Sequence, residues 1–311
     1  MHILLVKTGP AKSLFHALPT AHRLQRAYQA QIDWVVHEDY ADWVACFDDI
    51  QRVISMPEDE LKHANRQQFR NDLHRTTYDM VIDLEGSMQS ALIAKSARKK
   101  RGAPILGPSF QREGACLLYT AVVGTLDRAL HPVDACMDVL RYLNLPTTPV
   151  SYPLRFPYPF TLHEKKEPYW VFALQAQRRS DRLESEFWMA LVAAHTGPII
   201  LLGDRASVDI ADEIEVYDEE RVINLCGRLN WAEQGGLIQA SEGVVCTDER
   251  MMQLTGALGI RQIALFASGK KPSVYPYMGA CTCLVGSEVR AERVYAEWGG
   301  SPLHEAAAIG L

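Results

Sequence analysis

No long apolar run, no excess of positive charge and no paired-cysteine framework marks this chain. Nothing in it approaches the ~20 consecutive apolar residues of a membrane-spanning helix. Met1–Val6 runs straight into a predicted strand without a cleavage site, so no signal peptide is expected. Lysine and arginine (32) are outnumbered by aspartate and glutamate (38), a formal charge of -6 that argues against nucleic acid as a partner. The seven cysteines are scattered and odd in number, which suits a reducing cytoplasm. Cys281-x-Cys283 has no second pair or histidine cluster beside it, so neither a metal site nor a cofactor is expected. Internal repeats and low-complexity segments are absent as well.

The 311 residues, 48% hydrophobic and 23% charged, are enough for two core-forming domains. Val222 to Phe266 is the most informative stretch and reads as strand, helix, strand, helix, strand. Val222–Leu225 and Gly243–Thr247 are short apolar runs of the buried, parallel kind. Asn230 is placed to cap the helix ahead of Trp231, and Gly259 to end the next one. Ligands of open α/β sheets sit at the carboxyl ends of the strands, which makes Gly227–Leu229 and Asp248–Thr255 the lips of a cleft. His2–Val6, Asp33–Val36, Arg52–Ile54, Tyr78–Leu84, Tyr169–Leu174, Ile199–Leu202 and Gln262–Phe266 read as further strands. The proline- and aromatic-rich stretch from Pro146 to Pro168 is the expected linker. A boundary near Pro157 gives domains 1–157 and 158–311.

Two basic stretches stand out. Pro57–Arg75 carries Lys62, Arg66 and Arg70 at four-residue spacing, on one face of a helix or flap; the plainer reading is a solvated helix. Lys95, Arg98, Lys99, Lys100 and Arg101 close a helix beginning near Ser87. The helix dipole accounts for some of these cations, and the surplus suits an anionic lipid or sugar phosphate.

In order along nearly the whole chain, these elements resemble family-9 glycosyltransferases, the lipopolysaccharide heptosyltransferases. Lys7, Thr8, His16, Leu18 and Pro19 fit the family's opening K-x and h-x-x-L-P. Asp83 and Gly86 fit Y-D-x-V-I-D-x-Q-G, Trp188 anchors the second domain, and Asn224, Leu225, Gly227 and Leu229 fit N-L-x-G-x-L. Asp248 begins the D-T-G signature, and Lys270 and Pro276 fit the loop after the following strand. Six positions depart from the pattern. Ser13 replaces the aspartate proposed as general base, and Glu85 replaces a glutamine. Asp181 falls where a lysine grips the donor phosphate. Glu249-Arg250 replaces Thr-Gly, and Gln253 replaces a histidine.

The resemblance implies an α/β GT-B fold, two facing Rossmann-like domains with parallel sheets, the acceptor on the first and the donor on the second. It implies inverting, metal-independent transfer from a nucleotide-sugar such as ADP-heptose. The acceptor would be an anionic glycolipid of the lipopolysaccharide core or another envelope glycan, met in the cytoplasm at the inner-membrane surface. Around Ser13 the candidate bases are His16 and Asp83, with helix packing and capping as their plainer roles. Donor contacts would come from Arg178, Arg182, Asp204, Gly227, Leu229, Asp248, Arg250, Thr255 and Lys270. Acceptor contacts would come from Lys12, Lys62, Arg66, Lys99 and Arg101. The alternative is a catalytically inactive relative that binds glycan or scaffolds partner enzymes.

Overall fold

The computed structural model describes residues 1–58, 63–158, 168–176 and 178–298. The expected acceptor contact Lys62 lies outside the described residues. The chain divides into two units, Met1–Arg155 and Phe156–Leu311.

In the first unit the strands are β1 (His2–Val6), β2 (Gln31–His37), β3 (Ile50–Met56), β4 (Met80–Asp83), β5 (Ile105–Pro108) and β6 (Ala121–Val123). They form one sheet in the order β3-β2-β1-β4-β5-β6, with every neighbouring pair parallel. β1 and β4 are buried almost throughout, which explains their continuous apolar sequences: such strands are covered on both faces. Leu4, Val6, Val35, Ile54, Val81 and Ile93 form one side of the core. Fully burying each such side chain contributes roughly 1.5–3 kcal/mol.

The second unit repeats the plan with β7 (Trp170–Ala173), β8 (Ile199–Leu202), β9 (Val222–Asn224), β10 (Gly243–Cys246), β11 (Gln262–Phe266) and β12 (Cys281–Val285). Their order is β12-β11-β10-β7-β8-β9, again all parallel. Phe172, Trp188, Leu201, Ile214, Ile263 and Leu284 lie in its core. Trp298 stacks on Phe172 at 5.8 Å, which holds the last described turn against the sheet. Both units are therefore doubly wound, Rossmann-like α/β folds. Strand order reverses between β1 and β4 in one and between β7 and β10 in the other. In such sheets the reversal opens the crevice where ligands bind. It places Lys7–Gly9 and Leu84–Gly86 together in the first unit, and Leu174–Ala176 and Thr247–Glu249 together in the second.

The basic run after Ser87 requires a correction. Its helix spans only Met88–Ser96, and residues 98–101 continue beyond it. Arg98 and Lys100 hydrogen-bond the backbone of Tyr78, ahead of β4, at the amino edge of the sheet. Lys99 and Arg101 are thus at the end of β4 opposite Glu85. The Lys99 ammonium donates to the carbonyls of Ala94, Lys95 and Ala97 at 3.2, 2.7 and 2.6 Å. It terminates its own helix, as the dipole favours, rather than reaching an acceptor at the carboxyl edge.

Candidate functional site

The carboxyl edge of the first unit is built on β1, β4 and the helix Ala11–Tyr28. Lys7 and Glu85 leave adjacent strands and form an ion pair at 3.2 Å, with both side chains largely buried. The Gly9 amide donates to Glu85 Oε2 at 2.9 Å, and Arg112 approaches Oε1 at 3.6 Å. A methyl group added at Gly9 would lie 2.6 Å from Glu85 Oε2 and 3.0 Å from Ser13 Oγ. The carboxylate and the hydroxyl therefore flank the same gap, one that only glycine leaves open. Ser13 Oγ donates to the Pro10 carbonyl at 2.9 Å, and Lys12 beside it lies in the first helical turn.

Asp83 and His16 are both buried. Asp83 Oδ1 accepts the amides of Glu85 (2.8 Å) and Gly86 (3.1 Å), and Oδ2 accepts the hydroxyls of Ser90 and Tyr119, each at 2.7 Å. Burial raises its pKa against the opposing pull of those four bonds. Its oxygens are engaged internally, holding the turn that presents Glu85. Ser87, not Asp83, caps the helix that follows. His16 is 6% exposed, edge-on to His131 at 5.8 Å between ring centres. Burial, with Lys7, His131 and Lys12 adding to it, pushes its pKa down to about 3. Its Nε2 has no hydrogen-bond partner among the described residues. The ring lines a cavity of about 250 Å³ with Lys7, Phe110, Leu130 and Cys136. A neutral imidazole with so low a pKa is a weak base at physiological pH.

At the carboxyl edge of the second unit, three of the four residues that depart from the family pattern share one task. Asp181, 3% exposed, accepts the Ser268 amide at 2.8 Å. Glu249, 4% exposed, accepts the Ser273 amide at 3.0 Å and its hydroxyl at 2.6 Å. Gln253 donates to the Val274 carbonyl at 2.8 Å. All three therefore grip the loop that follows β11. Asp248 caps the helix Glu249–Ala257 through the Met251 amide at 2.8 Å. Arg250 turns back on Asp248 at 3.0 and 3.2 Å and lies 4.8 Å over the Trp231 ring. Burial raises the Asp248 pKa, and Arg250 counters it.

The remaining expected donor contacts separate into two groups. Asp204, Gly227 and Leu229 line the ends of β8 and β9. Asp204 caps a short turn through the Ala206 amide (3.1 Å) and the Ser207 hydroxyl (3.0 Å). Gly227, at φ +69, takes a left-handed conformation that favours glycine, and its amide meets the Gly203 carbonyl at 2.9 Å. Arg178, Arg182 and Lys270 are exposed, with Arg178 3.9 Å from Asp181. Thr255 is a correction: it lies inside the helix Glu249–Ala257 and is wholly buried, so it is not a lip of the cleft. Arg66 is exposed on the helix His63–His74 and borders a groove with Phe69, Leu92 and Ile93. Among the described residues no group of three or more His, Cys, Asp or Glu is placed to hold a metal ion. Glu85 is the residue that sequence reasoning passed over. The signal was its exchange for glutamine, but its meaning depends on Gly9, 76 positions away.

Comparison with known proteins adds two findings. The sequence model of glycosyltransferase family 9 (heptosyltransferase) matches residues 66–296. The chain is 26% identical over 284 residues to lipopolysaccharide heptosyltransferase 1 of Salmonella typhimurium, covering 86% of this chain and 88% of that protein. It is 24% identical over 283 residues to the Escherichia coli K12 protein of the same name, with 86% and 88% covered. Among solved structures, E. coli heptosyltransferase WaaC with ADP aligns with a TM-score of 0.82 at 23% identity, covering 96% of this chain and 99% of that one.

Proposed function

Since the chain belongs to glycosyltransferase family 9, the heptosyltransferase family, we propose that it transfers a sugar from a nucleotide-sugar to an anionic envelope glycan of the lipopolysaccharide-core type. The second unit takes the nucleotide and the first takes the acceptor. ADP-heptose is the donor proposed, from the ADP named with WaaC and the heptosyltransferase relatives. The reaction is inverting and needs no metal. The protein works in the cytoplasm, at the inner face of the membrane that carries its acceptor.

One observation carries this reading. At the carboxyl edge of the second unit Asp181, Asp248 and Glu249 are buried, while most of the cations near them are exposed. Asp181 and Glu249 would repel a diphosphate if they faced it, by ~1 kcal/mol or more where screening is poor. Each is instead buried and hydrogen-bonded to the loop after β11. Arg178, Arg182, Lys270 and Lys271 are exposed, and Arg250 is partly so. Arginine is well suited to bidentate phosphate contacts. Leu229 and Gly227 supply an apolar wall and a close backbone approach for a base and ribose.

The buried carboxylates also favour a second reading. The three replacements that grip the loop have a structural task that needs no nucleotide, which fits a relative that binds glycan without transferring to it. Titration calorimetry with ADP separates the two. The transferase reading expects saturable binding in the micromolar to millimolar range, weakened by charge reversal at the exposed cations (R178E/R182E). Absence of binding at millimolar ADP favours the second reading.

A further inference from the structure

The first unit holds a carboxylate, Glu85, just past the carboxyl end of β4, where the family pattern has glutamine. An acceptor hydroxyl must lose its proton as it attacks, and a positioned base contributes roughly 10²–10⁴-fold to that step. Ser13 has no basic side chain at neutral pH, and its hydroxyl is already donating to Pro10. The four hydrogen bonds to Asp83 engage both of its oxygens. His16 is buried, and its ring is edge-on to His131 at 5.8 Å between ring centres. Glu85 is less fully engaged: Oε2 meets Lys7 and the Gly9 amide, but Oε1 is approached by Arg112 only at 3.6 Å, beyond hydrogen-bond distance. It stands at the β1/β4 reversal, the point where an open α/β sheet receives its ligand, and its side chain keeps 11% exposure. Gly9 has no side chain to cover it, and Ser13 lies on the other side of the same gap.

We propose that Glu85 is the general base of this chain, and that the carboxylate has moved from position 13 to position 85 across one gap. This rests on the transferase reading above. Glu85 accepts the proton of the acceptor hydroxyl while that oxygen bonds to the anomeric carbon. The bond from the anomeric carbon to the β-phosphate oxygen breaks, and its electron pair leaves with the nucleoside diphosphate. The proton then passes from Glu85 to water. Lys7 and Arg112 hold the carboxylate in place through their contacts with its two oxygens. The Gly9 amide supplies a third fixed contact, so the base is oriented by two adjacent strands and by the loop entering the helix.

The exchange makes a compensation test possible. Four full-length proteins are compared: wild type, E85Q, S13D and S13D/E85Q. ADP release from ADP-heptose is measured with a heptose-free lipopolysaccharide core present, ADP affinity by calorimetry, and folding by thermal melt. E85Q is isosteric and is expected to lower kcat by about 10²–10⁴-fold while leaving ADP affinity and the melt unchanged. S13D/E85Q, with a carboxylate restored on the helix side of the gap, is expected to recover most of that loss. An E85Q protein that turns over like wild type overturns the assignment, as does a folded S13D/E85Q no faster than E85Q. A wild type that binds ADP but transfers nothing sinks the transferase reading itself, and the base with it; the former outcomes leave that reading standing.

Discussion

Two glycine- and histidine-sized details decide what the first unit's edge can do. Gly9 is the space into which Glu85 folds, so alanine there pushes the carboxylate aside. Because the displaced atoms are the end of a flexible side chain, G9A is expected to cost little stability. A misplaced catalytic group is expensive, however, and kcat is expected to fall by about 10²-fold with ADP affinity unchanged, measured in the same release assay. His16 carries a different, stability-linked signature. Its folded pKa is depressed, so the unfolded chain binds the extra proton first, and the contribution of neutral His16 is lost as pH falls from 6.5 towards 3. Between pH 7 and 4 this amounts to about 3 kcal/mol. Urea unfolding at the two pH values is expected to show a smaller acid loss in H16Q than in wild type by about that amount; equal losses would contradict it.

At the scale of elements, the loop after β11 is the feature that the second unit builds differently. Three side chains from β7's following loop and from the helix Glu249–Ala257 fix it, and two of them are acidic. E249Q keeps an acceptor for the Ser273 amide and deletes the charge. Because the wild-type carboxylate is turned into the loop and not toward the cleft, E249Q is expected to change ADP affinity by less than about a factor of 5, the worth of ~1 kcal/mol; calorimetry that finds a larger gain would mean that Glu249 faces the diphosphate. Most of the scaffold was legible in sequence. His2–Val6, Ile199–Leu202 and Gln262–Phe266 match their strands end for end, because a strand buried on both faces is written as an unbroken apolar run. Asn230 caps its helix through the Glu233 amide, in a reciprocal box, and Gly259 follows the next helix at φ +71. The site was less legible because its meaning lies in partners far along the chain. Asp181 reads as a lost lysine until Ser268, 87 residues later, is seen to need an acceptor. The basic run at Lys95–Arg101 misled for the opposite reason: local charge says nothing about which end of a strand it will reach.

For the molecule as a whole, two Rossmann-like units and the family match across residues 66–296 describe a sugar-transferase plan with rearranged charges. A nucleotide that binds only the folded chain must raise its melting temperature. At a concentration 100 times Kd the gain is about 2.7 kcal/mol, enough for a shift of several degrees. ADP and ADP-heptose are expected to produce it, and inorganic phosphate at equal concentration is not. The most direct measurement is a single-turnover incubation of the chain with ADP-heptose and a heptose-free lipopolysaccharide core, followed by mass spectrometry of the glycan. The account predicts a product heavier by one heptose, with ADP released in equal amount only when the acceptor is present. An unchanged glycan, from a folded protein that binds both components, would contradict it.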